Sequence, residues 1–110
     1  MGDADRTHEV ADRRSLVLHR EVARRLLIDP TLFTRARARV ETWANAGSVH
    51  PYYLDAWRRA FDAGLPAVRG ILEDPGEMGQ ALRQASPFAF VLSARERWRL
   101  LREASSGDTP

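Results

Sequence analysis

Cysteine and lysine are both absent from this chain of 110 residues, and each absence removes a class of chemistry. Without cysteine there is no disulfide and no thiolate nucleophile, and a zinc site would have to rely on His, Asp and Glu. Without lysine there is no phosphate-binding loop of the G-x-x-x-x-G-K-[ST] type. No apolar run approaches the roughly 18 residues of a membrane span. The opening Met1-Gly2-Asp3-Ala4-Asp5-Arg6 is acidic and polar, unlike a signal or transit peptide. The simplest expectation is one domain with a modest core, in a bacterial-type cytoplasmic protein.

All 17 basic residues are therefore arginine. Asn45 is the only asparagine, and Ile28 and Ile71 are the only isoleucines. A GC-rich genome accounts for this depletion of AT-rich codons, and arginine's bidentate recognition of carboxylates and phosphates is a second reason for its use. Almost nothing titrates between neutrality and the tyrosines, so the net charge of +2 persists to high pH and the pI of 9.9 overstates how basic the chain is. The distribution is more telling. Residues 1–12 set Arg6 against Asp3, Asp5, Glu9 and Asp12, whereas residues 13–39 set eight arginines against Glu21 and Asp29. Residues 40–90 are mildly acidic and residues 91–104 basic again. The basic stretch is either neutralised by the acidic middle on folding or meets an external anionic partner, and both readings stand.

Apolar periodicity predicts an all-α fold, a compact bundle of five or six short helices spanning residues 13–104. Residues 1–12 are expected to be a disordered lead-in and residues 105–110 a disordered tail. Leu18, Val22 and Leu26 recur every four residues in a first helix from about Arg14 to Ile28. Asp29-Pro30 ends it and starts a second, which runs to about Ala46 with Phe33, Ala36, Val40 and Trp43 inward and Gly47 as a left-handed stop. A third helix follows Pro51, with Tyr53, Trp57, Ala60 and Phe61 inward, Gly64 at its end, and His50 contributing to its start. Leu65 to Asp74 reads as a short, weaker helix. Asp74-Pro75-Gly76-Glu77 reads as a capping box opening another, with Met78, Ala81, Leu82 and Ala85 inward. Ser93 caps the last helix with Glu96 returning the bond; Trp98 and Leu101 are expected inward, and Arg95, Arg99 and Arg102 outward. The apolar linker Ser86–Leu92 should pack Phe88 and at least one of Phe90 and Leu92, unless Phe90 stays exposed for a partner.

Searched for chemistry, the sequence offers little. His8, His19 and His50 are too scattered for metal-ligand spacing, and His19 is better read as a partly buried residue bonding a neighbour. Glu73 and Asp74 are adjacent and so face different directions, a poor acid–base pair. No G-x-S-x-G elbow occurs. Neither catalytic residues nor metal ligands are assigned, and no cofactor or enzyme activity is expected. A helix-turn-helix would have to read bases with Arg35, Arg37 and Arg39, and Arg37 points away from the other two.

The segments Ser15-Leu16-Val17-Leu18-His19-Arg20, His50-Pro51-Tyr52-Tyr53, Leu82-Arg83-Gln84-Ala85-Ser86-Pro87-Phe88 and Leu92-Ser93-Ala94-Arg95-Glu96-Arg97-Trp98 carry a resemblance. The chain resembles small bacterial proteins associated with operons of AbiE-type nucleotidyltransferase-like toxins, in which the small protein is antitoxin-like. Phe90 stands where that pattern often has glycine after Phe-Ala. The resemblance implies a non-catalytic antitoxin that neutralises its toxin by direct contact, arginines pairing with carboxylates of an acidic nucleotide pocket. The expected contacts are Arg20 and Arg24 on the first helix, Phe88 and Phe90 in the linker, and Arg95 and Arg99 on the last helix. A DNA-binding transcriptional regulator is the alternative, and a structural subunit of another assembly a third.

Overall fold

Where apolar residues recur at helical spacing, helices form, and the signals between them set the joints. The structure, a computed structural model, describes residues 2–107, with side chains for residues 9–105. Six helices follow one another: α1 (Gly2–Ile28), α2 (Thr31–Ala46), α3 (Pro51–Ala63), α4 (Leu65–Glu73), α5 (Glu77–Gln84) and α6 (Ala94–Gly107). No strand occurs among the described residues, and none of the helices is long and apolar enough to cross a membrane.

Most joints use the expected residues. The Asp29 carboxylate accepts bonds from the Thr31 N–H (3.0 Å) and hydroxyl (2.6 Å), closing the first turn of α2. Gly47 ends that helix at φ 64°, its N–H donating to the Trp43 carbonyl. His50 caps α3, with Nδ1 accepting the Tyr52 N–H at 3.1 Å. Three details differ. Residues 2–12, expected to be disordered, extend α1 as helix. At the other end α6 reaches Gly107, into the segment expected as a tail, and residues 108–110 lie outside the described residues. Asp74 also works differently from a capping box with Glu77. Its carboxylate accepts the N–H groups of Gly76 (2.8 Å) and Gly79 (3.1 Å), and α5 then buries Gly79, Leu82 and Arg83 while Met78 faces solvent.

The core forms around α4, whose Val68 and Leu72 are fully buried between α1, α3 and α5. Val22, Ala23 and Leu26 of α1 and Leu32, Ala36 and Val40 of α2 complete the aliphatic part. Leu18, Phe33, Trp43 and Tyr53 are half-buried against it. Trp57, Phe61 and Phe88 make a compact aromatic cluster with centroids 6.0–6.2 Å apart, and Phe33 meets the edge of Phe61 at 5.0 Å. Rings at such spacings add favourable electrostatics to the area they bury.

Phe88 comes from the linker, and α1 holds that linker in place. The Ser15 carbonyl can only accept, so the 2.8 Å contact to His19 Nδ1 puts the imidazole proton there. Nε2 then accepts the Ser86 hydroxyl at 2.8 Å, and Ser86 Oγ accepts the Phe88 N–H at 3.2 Å. Burial is the main influence holding the His19 pKa below its usual value; the Ser15 bond opposes it, and the nearby Arg83 and Arg97 charges assist it. His19 thus staples α1 to the linker.

Candidate partner-binding face

The start of α6 decides which of its side chains face solvent. Ser93 Oγ accepts the Glu96 N–H at 3.1 Å, and the Glu96 carboxylate accepts the Ser93 N–H at 3.0 Å, the expected capping box. Glu96 also receives the Arg25 guanidinium from α1. The Arg25 hydrogen bond, followed by those from Ser93, lowers the Glu96 pKa to about 2. With Glu96 tied to α1 and Leu100 against the core, the remaining side of α6 turns outward.

That side carries Arg95, Trp98, Arg99 and Arg102, neighbours at helical spacings of one, three and four. Trp98 is 61% exposed, a correction to its expected burial. The Arg102 guanidinium lies over the indole, 5.1 Å from the ring centroid. None of Arg95, Arg99 and Arg102 pairs with a carboxylate among the described residues. Trp98 was missed because its spacing to Leu101 suggests a shared inward stripe. The available signal was its same-face company, Arg95, Arg99 and Arg102.

The other expected contacts divide. On α1, Arg20 is exposed and Arg24 is partly occupied, gripping Glu21 with Nε and Nη2 at 2.5–3.1 Å. Leu27 and Ile28, both exposed, continue the outer side of α1. Phe88, at 2% exposure, is locked in the aromatic core and cannot touch a partner without unfolding, which removes it from the candidate contacts. Phe90 is half-buried under Arg35 and Arg39, whose guanidinium carbons lie 4.4 and 5.6 Å from its centroid. No non-glycine residue among the described residues has positive φ, so phenylalanine in place of glycine leaves this turn unstrained.

Folding satisfies part of the basic stretch internally. Arg37 pairs with Asp62 at 2.5 Å, and Arg58 pairs with Glu41 at 2.6 Å, both joining α2 to α3. Arg25 bridges Glu21 and Glu96. Of the arginines a helix-turn-helix would need, Arg37 is paired with Asp62, while Arg35 and Arg39 are exposed and lie over the Phe90 ring. No group of three or more His, Cys, Asp or Glu able to hold a metal ion occurs among the described residues. Comparison with known protein families, curated proteins and solved structures finds no match.

Proposed function

We propose that this chain is a non-catalytic partner-binding protein that docks the outer face of α6 on an acidic protein surface. The observation that carries this reading is Trp98, largely exposed and flanked on its face of α6 by three arginines without carboxylate partners among the described residues. Tryptophan and arginine are the residues most enriched among those that dominate interface energies. A large indole left in water gains by being covered, and guanidinium groups pair bidentately with carboxylates. The partner suggested by the sequence resemblance is a nucleotidyltransferase-like toxin, whose acidic nucleotide pocket has matching charge. Neutralisation by direct contact would need no catalytic group on this chain.

The test is co-expression with the product of the adjacent gene, scored by growth rescue and by co-purification. Wild type should rescue, whereas Arg95→Glu/Arg99→Glu and Trp98→Ala should not, with folding verified by circular dichroism. Close charge pairs at interfaces couple by roughly 1.5–7 kcal/mol, so double reversal should weaken binding at least about tenfold. Absence of a toxic neighbour, or full rescue by both variants, would defeat the proposal. The same measurements on Arg20→Glu/Arg24→Glu would show whether α1 shares the interface.

A further inference from the structure

Arg83 is 4% exposed, and no carboxylate among the described residues bonds it. Its Nη1 donates to the Ile71 and Asp74 carbonyls at 3.0 and 2.5 Å, capping the end of α4. Its Nε is buried with no hydrogen-bond partner. The carboxylates of Asp74 and Asp12 act on its charge from nearby without an ion pair. A buried guanidinium bonded only to neutral carbonyls therefore bears a desolvation cost that these offset only in part.

Arg83 lines a cavity of about 190 Å³ between α1, α5, the linker and the inner edge of α6. Leu18, Val22 and Phe88 give it an apolar wall, and Arg97 of α6 adds a second positive charge. His19 and Ser86 also line it, but their polar hydrogens are committed to Ser15 and to each other. Two guanidinium groups beside an apolar wall suit one kind of ligand. We propose that this cavity binds a carboxylate carried on a short aliphatic stem, Arg83 and Arg97 receiving the carboxylate and the Leu18/Val22/Phe88 wall taking the stem. The wall disfavours a fully hydrated phosphate, and the two guanidinium groups of the lining disfavour a neutral ligand.

Trp98 does not line the cavity, and the cavity's test needs no protein partner, so failure there leaves docking through Trp98 untouched. The experiment is an NMR titration of the full chain with hexanoate, with hexanamide and inorganic phosphate as comparison ligands. Saturable shifts at Leu18, Ala89 and Arg97 with hexanoate, and weaker binding of both comparison ligands by about tenfold or more, are expected. Arg97→Glu should abolish the shifts, and Ala89→Trp, at an exposed position on the lining, should block them. Arg83→Met should do the same if it folds; because Arg83 caps α4, the two other variants keep the test decisive. No saturable shift, equal binding of hexanamide or phosphate, or unchanged binding by folded Arg97→Glu would overturn the proposal.

Discussion

A methyl group on Gly79 would lie 2.5 Å from the Asp74 carbonyl oxygen and 2.9 Å from Arg83 Nη1. Its glycine is required by close approach, because Asp74 and Arg83 fold over the first turn of α5. Gly79→Ala should destabilise the protein by about 1–3 kcal/mol, as overpacked sites do. Urea denaturation measures this, and an unchanged midpoint would mean that α5 seats differently. The tryptophans make a second test at this scale. Trp57→Ala should cost about 3–5 kcal/mol, because it empties the centre of the aromatic cluster. Trp98→Ala should fall within about 0.5 kcal/mol of wild type, as surface changes do. A large loss from Trp98→Ala would restore the inward orientation that the spacing suggested.

Among the elements, α6 is the one most defined by its first turn. Ser93→Ala should cost about 1 kcal/mol, the usual effect of losing a hydroxyl cap. Glu96 gives the same joint a pH dependence. Its folded pKa lies below the ordinary 4.5, so the unfolded chain takes up the proton first as pH falls. Its contribution is therefore complete above 4.5 and declines as pH drops toward 2. Glu96→Gln should flatten the fall in thermal midpoint over that window, and an unaltered profile would mean that Arg25 does not hold it. Much of the helical layout was legible because its signals are local: Asp29-Pro30, Gly47, His50-Pro51 and Ser93–Glu96 each act within a turn. The inward faces of α5 and α6 were less legible. Arg83 is buried because the carbonyls at the end of α4 await it, and Trp98 is exposed because Arg25 rotates α6 through Glu96. Both causes lie far away in sequence. The importance of α4 was hidden for a related reason: nine residues with a central Gly70 look weak until α1, α3 and α5 surround them. Of the candidate contacts, the outward arginines Arg95 and Arg99 were readable from spacing, whereas Phe88 belonged to a core that only the tertiary fold reveals.

For the whole molecule, ion pairs within the chain engage Arg24, Arg25, Arg37, Arg58 and Arg69 and leave α6, the outer side of α1 and the exposed Arg35 and Arg39 of α2 as basic surfaces. A DNA complex formed through these arginines should weaken steeply with salt and show little sequence preference. Electrophoretic mobility shifts at two salt concentrations measure this. Tight, sequence-specific binding at physiological salt, lost in Arg35→Ala/Arg39→Ala, would favour a regulator over a protein-binding module. The staple between α1 and the linker has another consequence, for the order of assembly. His19 and Ser86 are 67 positions apart, and Arg25 and Glu96 are 71 apart. During synthesis α1 emerges first; α2 and α4 cover part of its apolar stripe, but the cover is completed only when the linker and α6 have left the ribosome. Long-range closure is slow relative to local helix formation, so a nascent chain passes through a stage that displays Val22 and Leu26 to any apolar surface nearby. A partner made in the same place and engaged at that stage would meet a surface that the finished protein no longer offers.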